Sequence, residues 1–228
     1  MAVSFANRRQ AGEQLAAKLT AYAGHRDLLV LALPRGGVPV GFAVAQALQV
    51  PLDVFLVRKL GVPGHEELAM GAVASGGVRV LNTDIIELLQ IPSAVIEVVA
   101  ARELNEIMRR ERLYRDQRPA LAVRDRILIL VDDGIATGAT MRAAVAALRQ
   151  RRPRRIVVAV PTAAKETCAA VSTDVDEIVC IHTPDLFYAV GIWYADFAQV
   201  TDKEVRDLLA ATAQNADPTA PRPEESAL

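Results

Sequence analysis

The sequence predicts an α/β protein with a mostly parallel central sheet and helices on both faces. Two observations carry that expectation. Short apolar runs such as Leu28–Leu33 and Ile127–Val131 are polar on neither face, as strands covered on both sides must be. Segments of helical character, rich in alanine and valine, alternate with such runs along the chain. The chain has 228 residues, 52% of them hydrophobic and 23% charged, which suits one domain with a real core.

Residues 6–23 read as the first helix, with Leu15, Leu19 and Tyr22 at helical spacing. The strand Leu28–Leu33 stops at Pro34-Arg35-Gly36-Gly37, and Val38–Leu48 follows as a buried helix. Leu52–Val57 is expected as a second strand ending in the basic pair Arg58-Lys59. Gly61-Val62-Pro63-Gly64 opens a loop. Beyond it, His65-Glu66-Glu67-Leu68 either supplies a carboxylate for proton transfer or begins an acid-rich helix. Two short strands flank Ser75-Gly76-Gly77.

A long charged helix runs from Ser93 to about Asp116, with Glu106/Arg110 and Glu111/Arg115 at favourable spacing. Residues 83–117 are therefore expected as a helical insertion or a solvated lid. The strand Ile127–Val131, a helix to about Gln150, the strand Ile156–Val160, a helix at Ala164–Val171 and the strand Glu177–Ile181 continue the alternation. A last helix near Lys203–Ala211 completes a single domain of residues 1–212. Residues 213–228, with three prolines and two adjacent glutamates, are expected to be a disordered tail.

Several function classes are disfavoured. With 26 Lys+Arg against 27 Asp+Glu, the net charge of −1 gives no global pull toward nucleic acid or an anionic membrane. No apolar run is long enough to span a bilayer, and the N-terminus lacks a basic-then-apolar leader. The two cysteines, Cys168 and Cys180, make no disulfide framework, so a cytoplasmic protein is expected. His25, His65 and His182 are scattered without zinc-ligand spacing. There is no Gly-x-Ser-x-Gly elbow, no Gly-Lys-Ser/Thr ending of a P-loop, and no dinucleotide fingerprint.

The strongest chemical signal is Val131-Asp132-Asp133-Gly134-Ile135-Ala136-Thr137-Gly138-Ala139-Thr140. A buried strand delivers two acids, and small and hydroxyl residues then open a helix. Glycines let the backbone approach a ligand, and a helix start offers free N–H groups at the positive end of its dipole. That is an anion cradle of phosphate size. Two carboxylates beside it make sense if they hold sugar hydroxyls or a metal ion that neutralises the ligand.

This segment resembles the signature of the type I phosphoribosyltransferases, in which a hydrophobic strand, two acids and two variable residues precede Ala-Thr-Gly-x-Thr. The resemblance implies that Asp132 and Asp133 contact the ribose hydroxyls of phosphoribosyl pyrophosphate (PRPP), directly or through the shell of a metal ion. It implies that Gly134, Ala136, Thr137, Gly138, Ala139 and Thr140 hold the 5′-phosphate. Leu33-Pro34-Arg35-Gly36-Gly37 resembles the pyrophosphate loop of the same family, where two glycines aim amides at the ligand and Arg35 supplies charge. Val57-Arg58-Lys59-Leu60-Gly61-Val62-Pro63-Gly64 resembles the segment leading into the mobile catalytic loop of adenine phosphoribosyltransferases. Lys59 is then a pyrophosphate contact and catalytic residue beside Asp132 and Asp133, with Arg58 sharing the contact. Where many members carry Ser-Tyr, this chain has the acidic run noted above.

Five of the ten aromatic residues fall between Phe187 and Phe197. They form either a stacking platform or a small local core. The segment resembles the base-binding hood of hypoxanthine-guanine phosphoribosyltransferases, at about 182–200, which singles out Tyr188, Trp193 and Asp196 for the base. The resemblance thus implies transfer of ribose 5-phosphate between PRPP and a ring-nitrogen acceptor, a purine-like base being the first choice. Pyrophosphate would be the co-product. Mg²⁺ is expected to travel with PRPP, touching Asp132 and Asp133 through water or through PRPP itself. Expected partners are PRPP, the acceptor and further copies of the chain, without nucleic acid or membrane. The competing readings are a non-catalytic sensor of PRPP or a nucleotide on the same fold, and an unrelated phosphate-ester enzyme on a similar sheet.

Overall fold

The computed structural model describes residues 4–116 and 118–215. Of the tail expected at 213–228, residues 213–215 instead end the last helix, and 216–228 lie outside the described residues. A five-stranded, all-parallel sheet forms the centre, from β1 (Leu28–Ala32), β2 (Leu52–Val54), β6 (Ile127–Val131), β7 (Arg155–Thr162) and β8 (Glu177–His182), in the order β2-β1-β6-β7-β8. The sequence-expected architecture is present. Side chains of β1, β6, β7 and β8 divide between two cores. Val30, Ile129 and Ala159 join α1 (Arg8–Lys18), α2 (Gly37–Leu48), α4 (Ser93–Arg115) and α7 (Asp202–Asn215) on one face. Leu31, Leu130 and Val158 meet α5 (Ala139–Gln150) and α6 (Lys165–Ser172) on the other. Both faces are covered, so unbroken apolar runs are what these strands need.

The strand expected at Leu52–Val57 divides. β2 ends at Val54, and β3 (Val57–Val62) belongs to a separate antiparallel sheet with β4 (His65–Ala74) and β5 (Val78–Leu81). The break is held by Leu56, whose N–H donates to Ser75 Oγ while its carbonyl accepts from the Ser75 N–H. The stretch after Gly61 is likewise no helix start. Pro63 and Gly64, with φ of 80° at Gly64, make a two-residue turn, and His65–Leu68 begins β4. Proline followed by glycine supports this turn because the first residue needs a fixed negative φ and the second a positive one.

The 83–117 insertion comprises α3 (Thr83–Leu88) and α4. It is more than a solvated lid: Ile96, Val99, Ala100, Ile107 and Tyr114 of α4 are buried in the main core. At its end, Arg115 donates through Nε to Asp53 Oδ1 at 2.8 Å and pairs with Glu111 at 3.0 Å. Asp53 on β2 also accepts from the N–H groups of Val54 and Leu121. A buried charge is tolerable only with such partners. Among the described residues, no helix is long and apolar enough to cross a membrane.

Candidate active site

Strand order reverses between β1 and β6, and ligands of open parallel sheets bind at such a switch point, beyond the carboxyl ends of the strands. The loops leaving these two strands carry both motifs. Leu33 N–H donates to Val131 O at 2.9 Å, so Pro34–Gly37 lies directly against Asp132 and Asp133. Side chains would not fit here. A Cβ on Gly36 would overlap the Asp133 carboxylate, and one on Gly37 would come within 2.8 Å of Val131 O. The loop also contains a cis peptide between Pro34 and Arg35.

The two acids are held differently. Asp133 Oδ2 accepts from Arg8 Nε at 2.8 Å, and its carbonyl accepts from Tyr194 Oη at 2.5 Å. Asp132 Oδ1 accepts the Asp133 N–H at 2.8 Å. Burial, and then the Asp133 carboxylate, push Asp132 well above the usual carboxylate range. Burial also raises Asp133, with Arg8 pulling the other way. Tyr194 is raised by burial and then by Asp133, so it stays a proton donor. The pair thus holds a proton-sensitive charge in a partly dry place.

Beyond the acids, Ile135 N–H donates to Thr162 O and Thr167 Oγ1 donates to Ala136 O, fixing the turn. Gly138, at φ 76°, caps α5 without a side-chain partner for the helix N–H groups. Ala136, Thr137, Ala139 and Thr140 are exposed there, while Gly134 and Gly138 are buried. Open N–H groups, a positive dipole end and two hydroxyls can hold a phosphate.

Alternation along β3 separates the basic pair. Lys59 faces α5 and lines a cavity of about 230 Å³ with Asn82, Ala139 and Thr140. Its Nζ lies 3.3 Å from Glu67 Oε2. Arg58 instead pairs with the buried Glu103 of α4. Arg58, expected to share the pyrophosphate contact, thus links β3 to the insertion through Glu103. Arg35 stays partly exposed, with Nη1 3.7 Å from Asp202 Oδ1. Glu66 is held below the usual carboxylate range by backbone N–H groups of Glu66 and Gly64, so it is a poor proton donor at neutral pH.

The aromatic cluster separates too. Trp193 is buried with Phe5, Ala11 and Tyr194, and it packs edge-on against His182 at 4.6 Å between ring centroids. Of the two arrangements expected for the cluster, Trp193 takes the small local core and not the stacking platform. Tyr188 is 72% exposed, and the Asp196 carboxylate caps the Ala198 N–H at 3.0 Å. Sequence reasoning missed Arg8, which stands in no motif, and counted Tyr194 only among the clustered aromatics; the partners of both lie far away in the chain. Among the described residues, no three His, Cys, Asp or Glu side chains are placed to hold a metal ion. With one oxygen of Asp133 taken by Arg8, the acids suit a cation that arrives on its ligand better than a resident one.

The chain matches the Phosphoribosyl transferase domain family over residues 5–191. The Mycobacterium tuberculosis proteins MT0597 (strain CDC 1551) and Rv0571c (strain H37Rv), both provisionally named phosphoribosyl transferases, are 46% identical to it over 201 residues. That match covers 88% of this chain but 45% of theirs, so the chain spans about half the length of these relatives. The crystal structure of TT1426 from Thermus thermophilus is 43% identical, covers 91% of this chain and 98% of its own, and superposes with a TM-score of 0.81.

Proposed function

The chain belongs to the phosphoribosyl transferase domain family, and we propose that it transfers ribose 5-phosphate between PRPP and a ring-nitrogen acceptor, with pyrophosphate as co-product. One observation carries this reading. The Pro34–Gly37 loop, the Asp132–Asp133 pair and the N-terminus of α5 converge at the switch point of the sheet. An unrelated phosphate ester would need the cradle but neither the glycine loop nor the acids.

In this reading the exposed backbone of Ala136–Thr140 holds the 5′-phosphate, and Asp132 and Asp133 hold the ribose hydroxyls. The Gly36 amide, Arg35 and Lys59 receive the pyrophosphate; the Gly37 N–H expected to share in this is taken by Leu33 O at 3.0 Å. Asp132 and Asp133 would face, directly or through water, a Mg²⁺ ion carried by PRPP, which would supply charge neutralisation to the leaving group. The chain itself contributes fixed dipoles and cations where charge develops, and it positions the sugar carbon against the acceptor. A purine-like acceptor rests against the exposed Tyr188 and Asp196 side of the hood. We also propose that the protein works in the cytoplasm as a homo-oligomer. Exposed Leu88 and Val98 of the insertion support self-association, which sedimentation velocity reads directly.

The test is pyrophosphate release from Mg–PRPP against a panel of purines, pyrimidines and other ring-nitrogen compounds. Acceptor-dependent release that disappears in Asp132→Asn/Asp133→Asn supports the reading. Absence of both Mg–PRPP binding and release across the panel overturns it. Binding without release would favour a sensor on this fold.

A further inference from the structure

We propose that Arg8 is the positioning residue of the acidic pair: fixed on the hood, it orients Asp133 and offsets its charge so that an anionic ligand can approach. This inference rests on the phosphoribosyl reading of the site.

Arg8 is held on three sides. Its Nε donates to Asp133 Oδ2 and its Nη1 to Ala198 O, both at 2.8 Å. Its guanidinium carbon lies 3.8 Å from the centre of the Phe197 ring. The Arg8 and Asp133 side chains are 11% and 14% exposed, so water screens the pair weakly. A planar guanidinium suits this set of partners, which a lysine ammonium would not reproduce.

The backbone around Arg8 is laced to the hood as well. The N–H groups of Ser4 and Phe5 donate to Trp193 O, while Phe5 O and Ala6 O accept from Ala195 and Asp196. Tyr194, paired with Phe5 in the same bridge, donates its hydroxyl to the Asp133 carbonyl. Asp133 is thus pinned at its backbone by the hood and at its side chain by Arg8.

Local stability does not explain this arginine. Arg8 and Arg9 open α1, whose first turn has no acid, although a helix N-terminus disfavours cations. A residue that breaks a local rule and meets a functional group instead is the pattern expected of a site. Its effect also falls where it is needed. Asp132 and Asp133 are adjacent, Asp132 has no cation of its own in contact among the described residues, and PRPP is strongly anionic. One fixed cation leaves the pair with a single net negative charge when both acids are ionised. It also leaves the free oxygen of Asp133 in one orientation.

The experiment is calorimetry of Mg–PRPP binding to the full chain and to Arg8→Ala, Arg8→Lys, Asp133→Asn and Arg8→Ala/Asp133→Asn, with melting temperatures alongside. Arg8→Ala should weaken binding by about tenfold, with part of the loss restored in Arg8→Lys. In the Asp133→Asn background the same alanine change should alter affinity by less than about twofold, because the carboxylate through which Arg8 acts is gone. A purely structural arginine would weaken binding equally in both backgrounds, and that result overturns the inference. So does unchanged affinity in Arg8→Ala. If Arg8→Ala fails to fold, Arg8→Lys and its Asp133→Asn double variant supply the same cycle. Failure of the unaltered protein to bind Mg–PRPP would overturn the phosphoribosyl reading, and this inference with it. Binding by the unaltered protein with additive losses overturns this inference alone.

Discussion

Gly36 and Asp133 are packed so closely that a methyl group on Gly36 would occupy the space of the carboxylate. The loop after β1 and the acids after β6 therefore form one object, and neither can shift alone. Gly36→Ala must displace Asp133 or open the loop, at a cost of about 1–3 kcal/mol. Mg–PRPP affinity should fall with it in calorimetry. An alanine variant with unchanged melting temperature and affinity would show that the two loops are independent.

Asp132 should weaken the ligand-free fold at neutral pH. Burial and Asp133 raise its folded pKa above the ordinary 3.8. The sign follows directly: stability linked to its protonated form is fully present below the ordinary value and is lost as pH rises through the folded one. Asp132→Asn removes that loss while keeping an oxygen for the Asp133 N–H. A gain on the order of 1 kcal/mol would appear as about 2–4 °C in melting temperature near pH 7, shrinking toward pH 4. A lower melting temperature across that range would mean that the ionised acid is structural.

Much of this was legible in the sequence, for identifiable reasons. Leu28–Leu33 and Ile127–Val131 needed no partner to declare themselves, since a strand buried on both faces is apolar at every position. The Asp132–Thr140 cradle is local, so its order along the chain is its geometry. The division of the second strand depends on Ser75, nineteen residues beyond Leu56. The fates of Arg58 and Arg8 depend on Glu103 and Asp133, reached only through tertiary packing. The hairpin at Pro63-Gly64 carried its own turn signal, but the acids after it also fit a helix start.

Alkaline pH should loosen the fold through two tyrosines. Tyr22 and Tyr114 are each pushed up from 10 to about 12, first by burial and then by hydrogen bonds to Glu177 and Asp202. Their contribution is complete below pH 10 and is lost between about 10 and 12. Denaturant midpoints across that interval should fall less steeply in Tyr114→Phe. An identical slope would remove Tyr114 from the account.

The two thiols should react unequally. Cys168 of α6 and Cys180 of β8 pack beside the same core, and the Cys180 thiol donates to His182 O at 3.3 Å. The neighbouring Cys180 thiol holds Cys168 below its ordinary value, while the Cys168 thiol and burial push Cys180 up. The thiolate is the nucleophile, so iodoacetamide near pH ~8 should label Cys168 first. Peptide mapping reads the order, and faster labelling of Cys180 would reverse the assignment.

The lacing of Phe5 and Ala6 to residues 193–196 sets an order of events during synthesis. Arg8 precedes the whole sheet in the chain, yet its partner Asp133 lies 125 positions later and its backbone anchor Ala198 lies 190 positions later. Contacts this distant are the slow ones, because a long loop must close before they form. The sheet can therefore assemble before the acids have their counter-charge. A nascent chain that stops short of the hood would carry Arg8 and Asp133 without the Ala198 carbonyl and the Phe197 ring that fix the guanidinium. The fixed orientation of Asp133 would then arrive late, once residues 193–198 have packed against Phe5, Ala6 and Arg8.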